Sequence, residues 1–449
     1  MPMSADSALQ TSASLQRELN VLDGIAIVAG TIIGSAIFII PSSIAAKLPS
    51  PTVVITAWIA GGILSLFGAL SLGELGSAYP GAGGIYVYLR EAFGSLPAFL
   101  YGWGLLSMIH SGSIAALSVG FSIYAARIFI LGSMGQKLVS VSCIALLTII
   151  NCFGVRPGKL VQNILATIKV GALLLMVAAL FVTGRHTIVP RAPKTGFTFG
   201  LVQLGTALTA ILWAYEGWHV VSFTAGEMKR PKRDLPLALF YGTLLITAIY
   251  LLANVSYYFV LSPSEIRDSS AVAASALSKV YGAPSVQFLS VLILISVLGA
   301  MNGMVLTGPR VYYAMAKDGL FFGWFTKTGK YGTPLFALLT QGLWAMILAW
   351  SGTYEQLFTY VIFTAWLFYG MTVAGLMILR RKDRNRERPY KVPLYPLIPI
   401  LFCIAAAAIA MDMIYAAPGR AAIGITLILT GVPIYVVFQR LNGFSQSKS

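Results

Sequence analysis

Twelve apolar runs bounded by proline, glycine and charge clusters divide the chain, at about 21–46, 52–79, 96–124, 138–155, 160–183, 202–226, 236–261, 284–315, 334–351, 355–379, 396–416 and 421–439. Coiled at about 1.5 Å per residue, runs of roughly 20 residues match the thickness of a bilayer's hydrocarbon layer. Lipid offers the backbone no hydrogen-bonding partner, so runs of this length can cross it only as helices. The expected fold class is therefore an all-α membrane protein of twelve transmembrane helices. A mean hydropathy of +0.80, with only 10% charged residues, excludes an ordinary soluble domain. Residues 1–20 are polar and lack the basic start, short apolar core and cleavage site of a secretory signal, so the first span is expected to persist.

A net charge of +16 over 449 residues raises the question of nucleic acid, but the cations cluster at the ends of spans, where they set orientation. With the N-terminus inside, 21 of the 31 basic residues fall in cytoplasmic segments. Those segments hold Arg17, Arg90, Arg156, Lys159, Lys229 to Arg233, Arg310 to Lys330, Arg380 to Lys391, Arg440 and Lys448. The outside segments hold Lys47, Arg127, Lys137, Arg185, Arg191, Lys194, Arg267, Lys279 and Arg420. The expectation is a multi-pass protein of the cell (inner) membrane with both termini cytoplasmic, surrounded by lipid and binding no nucleic acid. Arg380 to Lys391 reads as a solvated stop signal rather than a lipid-binding patch. Ser262 to Gly282 reads as a short amphipathic helix over the outer mouth.

The first run contains Gly30-Thr31-Ile32-Ile33-Gly34-Ser35. Glycine weakens a helix, and a break at membrane depth frees amides and carbonyls that must face protein, water or a polar ligand. Gly30 and Gly34 also have the spacing of a small-residue helix contact, which requires no break. The sixth run carries a second glycine, in Trp213-Ala214-Tyr215-Glu216-Gly217-Trp218-His219, next to a carboxylate whose burial is costly. Glycine-interrupted spans at corresponding places in two halves point to a transporter site near the bilayer midplane. The chain then reads as a five-plus-five inverted repeat (LeuT-like) with broken first and sixth helices, although no residue-level repeat is visible. Cys143, Cys152 and Cys403 are too scattered for a disulfide framework or metal site, and His110, His186 and His219 form no ligand pattern. No metal or cofactor is expected. No nucleophile and base are paired for an enzyme, and no filter repeat marks a channel.

Six motifs, in order, resemble the L-type amino acid transporter family of the amino acid–polyamine–organocation superfamily, in its bacterial type. They are the first-span stretch above, Tyr79 to Gly94, the sixth-span break with Gly226 to Pro236, Ile249 to Val255, Asn302-Gly303 with Arg310 to Gly319, and Arg388 to Pro393. The resemblance covers nearly everything after residue 20. It implies a sodium-independent secondary transporter of L-amino acids, neutral ones first, exchanging them by alternating access. The alternatives are a proton-coupled symporter and a cationic amino acid or polyamine carrier, the latter supported by Glu216. Residues 1–20 would be a cytoplasmic tail. A transport core of ten helices would fill 21–379, its repeats at about 21–183 and 202–379. A basic loop (380–395), two further helices (396–439) and a tail (440–449) would follow.

In this reading the amides of Gly34, Ser35 and Ala36, at a helix N-terminus, receive the substrate carboxylate. Carbonyls of Thr31, Ile32, Trp213 and Ala214 accept its ammonium. Ile33 and Gly217 belong to the two breaks, and Trp213 and Tyr215 line the side-chain pocket, with aromatic packing between helices as the alternative for each. Glu216 balances a cationic substrate, pairs with a polar group or takes up a proton. The resemblance makes Lys169, about nine residues into the fifth run, a fixed cation where sodium-coupled relatives bind sodium. It links Tyr250 to the inner part of the site and leaves Asn302 a helix-contact amide. Glu74, near the inner end of the second run, is expected in an interfacial ion pair. The family's third glycine is Ala36 here, whose methyl group would crowd the pocket. Eukaryotic relatives join a heavy subunit through a cysteine between spans three and four. Leu131 to Gln136 contains none, so no disulfide-linked heavy subunit is expected.

Overall fold

A computed structural model describes residues 17–183, 200–269, 271–329, 332–352, 354–416 and 418–446. Expectations placed before residue 17, or on Arg185, His186, Arg191, Lys194, Lys330 and Lys448, lie outside these. The described chain is helical, with two isolated β-bridges, Leu19 to Met228 and Thr328 to Pro334. In order come α1 (Val21–Ile32), α2 (Ala36–Lys47), α3 (Pro51–Ala78), α4 (Ile85–Phe93) and α5 (Ser95–Gly104). A π turn (Leu105–Ile109) joins α5 to α6 (His110–Phe129), followed by α7 (Ser133–Cys152), α8 (Val155–Thr183) and α9 (Leu201–Ala214). A 3-10 segment (Val220–Glu227) leads to α10 (Pro231–Val260), α11 (Pro263–Arg267), α12 (Val272–Tyr281), α13 (Pro284–Thr307) and α14 (Pro309–Lys317). The chain closes with α15 (Leu335–Ser351), α16 (Tyr354–Lys382), α17 (Leu397–Ala416), α18 (Pro418–Leu429) and α19 (Gly431–Gln446).

Among the described residues nine helical stretches are long and apolar enough to cross a membrane, and α1 with α2, bent by 48°, makes up to ten. Large apolar side chains such as Leu175, Phe288 and Met411 remain exposed on the outside of the bundle, as a lipid-facing surface requires. Inside, small residues let helices approach closely. A side chain at Gly61 would strike Ile211 of α9, one at Gly242 would strike Val28 of α1, and one at Gly30 would strike Gln162 of α8. A polar seam adds hydrogen bonds to this packing. Asn302 Nδ2 donates to Gln162 Oε1 at 3.0 Å and accepts at Oδ1 from Asn151 Nδ2 at 2.8 Å, which ties α13 to α8 and α7.

Local chemistry starts the helices. Asn20 Oδ1 accepts from the amides of Leu22 and Asp23 at 2.8 and 3.0 Å, and Asp23 Oδ2 accepts from Asn20 N at 3.0 Å, a capping box that opens α1. The segment before it is pinned to the end of the second break, because the Glu227 carbonyl accepts from the amides of Glu18 and Leu19. Arg156 pairs with Glu18 at 2.8 Å and Lys159 with Asp23 at 3.1 Å, so α8 is fastened to the same corner. Beside it, Arg310 and Glu227 pair at 3.1 Å with both side chains at 0% exposure.

Three expectations need correction. The segment Ser262 to Gly282 forms two short helices, because Ser262 and Glu265 make a capping box that starts α11 and α12 begins only at Val272. Lys279 Nζ bonds both Glu265 oxygens, at 2.7 and 2.9 Å, and holds that carboxyl below the ordinary glutamate range. The reading of the basic loop after α16 as a solvated stop signal needs narrowing: Arg381, Lys382, Arg384, Arg386 and Lys391 are exposed, but the loop is also tied back to the bundle. Glu74, buried on α3, accepts from Arg380 Nε at 2.7 Å and from Val392 N at 2.7 Å, while Arg386 stacks on the Tyr79 ring at 3.9 Å. Burial of that carboxylate selects cations from the loop and folds them back. Finally, α8 begins five residues before the apolar run, which puts Lys169 near its middle rather than nine residues in.

Candidate functional site

Helix α1 stops where Ile33 becomes extended (φ −71°, ψ 96°), and Ser35 opens α2 without a side-chain cap. Both readings of the glycine pair apply, one to each residue: Gly30 packs against α8, whereas Gly34 lies in the break. The second break follows α9. Glu216 N bonds the Trp213 carbonyl at 3.1 Å, and Gly217 turns the chain with φ +118°. A side chain at Gly217 would be strained by that φ and would place its Cβ 2.8 Å from Thr31 Cγ2. Glycine there lets the two breaks touch.

Between the breaks lies a cavity of about 20 Å³. Thr31, Ile32, Gly34, Ser35 and Ala36 line it from the first break, and Trp213 and Glu216 from the second. Leu117 of α6 and Met304 of α13, which sequence reading did not single out, close it. Ser35 and Ala36, at the start of α2, line the cavity, and the N-terminus of a helix is a favourable end for an anion. Trp213, in the last turn of α9, and Glu216, in the turn that follows it, both line the cavity, whereas Tyr215 between them does not. Tyr215 accordingly takes the packing alternative. Its ring lies edge-on to Trp58 at 5.9 Å and near Tyr250 at 5.3 Å, and its hydroxyl donates to the Trp58 carbonyl at 3.3 Å. Ala214 is buried beside it, and Ala214, Ile33 and Gly217 do not line the cavity.

Several carbonyls at the two breaks already accept a hydrogen bond. Tyr250 donates to Ile32 O at 3.0 Å, and the Glu216 amide donates to Trp213 O at 3.1 Å. Lys169, 3% exposed, donates to the carbonyls of Gly30, Ile33 (2.7 Å) and, on α13, Ser296 (3.1 Å). Ser296 Oγ donates to the same Ile33 oxygen at 3.1 Å. Lys169 is not among the residues that line the cavity.

Sequence reading also missed Tyr369. Its hydroxyl, from α16, donates to Glu216 Oε1 at 2.6 Å and lies 3.0 Å from His219 Nδ1. A tyrosine in an apolar run reads as packing, and no local signal distinguishes this one. Among the described residues no group of three His, Cys, Asp or Glu side chains is placed to hold a metal ion.

Comparison with known proteins matches the chain to the amino acid permease family over residues 19–438. It is 34% identical to b(0,+)-type amino acid transporter 1 of Rattus norvegicus over 447 residues, covering 97% of this chain and 90% of that protein. It is 32% identical to the serine/threonine exchanger SteT of Bacillus subtilis (strain 168), over 94% of this chain and 96% of that one. The cystine/glutamate transporter of Homo sapiens is 31% identical over 96% and 86%.

Proposed function

Because the chain belongs to the amino acid permease family, as an amino acid transporter of the L-type branch, we propose that it is a sodium-independent exchanger of small neutral L-amino acids working by alternating access. The observation that carries this reading is Lys169. Its ammonium is surrounded by the carbonyl oxygens of Gly30, Ile33 and Ser296, an oxygen cage of the kind a metal cation would need, and it repels such an ion. Substrate size follows from Ala36, Trp213 and Met304 around the cavity. A space of about 20 Å³ holds about one water molecule, so an amino acid enters only as the two breaks separate. The substrate carboxylate meets Gly34, Ser35 and Ala36 at the start of α2. The exchange mode is supported by the likeness to a bacterial serine/threonine exchanger.

The architecture that goes with this function has twelve spans. The nine long stretches, the bent α1–α2 pair and the shorter apolar helices ending at Ala214 and Ser351 support that number. Residues 21–379 form two inverted five-span repeats, 380–395 a cytoplasmic loop and 396–439 two further spans. Residues 1–20 and 440–449 are cytoplasmic tails, consistent with the cations at that end. Lys169 and Tyr250 take part in the transport cycle by holding the first break. The chain works without a disulfide-linked heavy subunit. Counterflow in proteoliposomes tests the proposal. Labelled L-serine should accumulate several-fold faster into vesicles loaded with unlabelled serine than into empty ones, and equal rates would replace exchange with uniport.

A further inference from the structure

A large apolar hollow lies outside the transport site. It is a groove of about 600 Å³ between α8 and α13, with Leu277 and Tyr281 of α12 at one end. Pockets that hold small molecules are commonly of about 300–1,000 Å³. Leu175, Phe288 and Ile168 on its walls are 73%, 66% and 42% exposed, so the groove is continuous with the lipid-facing surface of the bundle.

Its length fits one leaflet. Along α8 the lining runs from Thr167 to Ala179, which is about 18 Å at about 1.5 Å per residue. Half of a hydrocarbon layer of about 30 Å is about 15 Å. Tyr281 marks the headgroup end, since tyrosine favours the level where its ring is in hydrocarbon and its hydroxyl is wet. That hydroxyl donates to the Ala179 carbonyl at 3.3 Å and lies 3.1 Å from Thr183 Oγ1. Glycine in a membrane helix ordinarily lets a neighbour come close, as Gly30 and Gly61 do. Gly171 is different, because a Cβ there would meet nothing within 4 Å. Its missing side chain makes room instead of contact. None of the described residues that line the groove is charged, and Lys279, two residues before Tyr281, is held by Glu265 at 2.7 Å. The site is therefore built for hydrocarbon and offers a headgroup no free cation.

The floor connects the groove to the first break. Ala172, Met176, Leu289 and Leu292 also line a space of about 10 Å³ that Lys169 and Ser296 share. Met176 and Leu289 are 5% and 2% exposed. One layer of side chains thus separates the groove from the ammonium that bonds Gly30 and Ile33 of the first break and Ser296 of α13.

We propose that this groove binds one acyl chain of a membrane phospholipid, running inward from Tyr281, and that the bound chain packs Met176 and Leu289 against Lys169 and so stabilises the closed first break. A chain laid along α8 gains dispersion contacts on both walls, which a tail passing over a smooth helix face does not. The inference requires that α8 and α13 cross the bilayer, and it stands whichever substrate the transport cavity takes.

Photocrosslinking of the purified full-length protein in nanodiscs tests the binding. The probe is a phosphatidylcholine with a diazirine midway along one acyl chain. Peptides covering 167–179 and 285–292 should be labelled several-fold more than those of α17, where Ile404 and Met411 are also exposed. Nanodiscs of phosphatidylglycerol should give the same pattern as nanodiscs of phosphatidylcholine. Gly171→Phe fills the groove, and Ala179→Phe blocks its headgroup end, so each should bring the label down to the level of α17. Even labelling of all exposed helices by the wild type overturns the site, and that result stands even where a variant does not fold. Crosslinks between two copies of the chain at these peptides overturn it in favour of a protein interface. The effect on the break is read from thermal midpoints of delipidated protein. Added phosphatidylcholine should raise that of the wild type by several degrees and leave that of Gly171→Phe nearly unchanged. An equal rise in both overturns the link to Lys169.

Discussion

Tyr250 reaches from α10 to the carbonyl of Ile32, the last helical residue before the first break, and donates to it at 3.0 Å. One tyrosine thus satisfies an oxygen that α1 leaves without a helical partner, and stabilises the break in the absence of substrate. Lys169 does the same for Gly30 and Ile33 from α8. The broken helix is held by side chains of two other helices, so its opening is tied to their movement.

Tyr250→Phe removes that donor and leaves a buried carbonyl unpaired, which costs about 1–3 kcal/mol. The thermal midpoint of the purified variant should fall, and its substrate affinity should change as well. An unchanged midpoint would mean that the Ile32 oxygen finds another donor.

Ala36→Gly should enlarge the pocket. Ala36 is 4% exposed and lines the cavity beside Ser35. Crowding by one carbon commonly costs about 1–3 kcal/mol, and bulky substrates meet it most. Competition assays should show leucine gaining on serine in the variant. A constant leucine-to-serine ratio would remove Ala36 from the side-chain pocket.

The Arg310–Glu227 pair is fully buried at the end of the second break. Arg310→Ala strands the carboxylate and should cost about 3–5 kcal/mol, whereas replacing both partners with apolar residues of similar volume should cost much less. Thermal midpoints of the single variant and of Arg310→Met with Glu227→Leu make the comparison. Equal losses would show that shape rather than charge matters there.

Lys169→Ala should reach the membrane folded but transport slowly, with affinity altered on one side more than the other. The charge is expected to hold first-break carbonyls in one state and release them in another. Binding and transport by the purified variant, measured side by side, check this. Wild-type rates would exclude the role.

The parts of the site legible in the sequence were those that break a local rule. Glycines inside apolar runs mark Gly34 and Gly217, and a lone charge at membrane depth marks Lys169 and Glu216. Side chains that obey the rules could not be told apart. Trp213 and Tyr215 are both aromatic and two residues apart, and only the fold around them puts one on the cavity and the other against Trp58. Tyr369 acts on Glu216 across 153 residues of sequence, and Leu117 and Met304 come from separate helices, so tertiary packing alone reveals them. The cations of 380–391 have the composition of a solvated loop, but Glu74, some 300 residues earlier, draws Arg380 and Arg388 back.

The central claim is that Lys169 takes the place of a metal cation at the first break. The most direct test is uptake of labelled L-serine into serine-loaded proteoliposomes, with sodium chloride replaced by choline chloride at constant ionic strength. The account predicts the same rate in both buffers. A rate that rises saturably with sodium would contradict it.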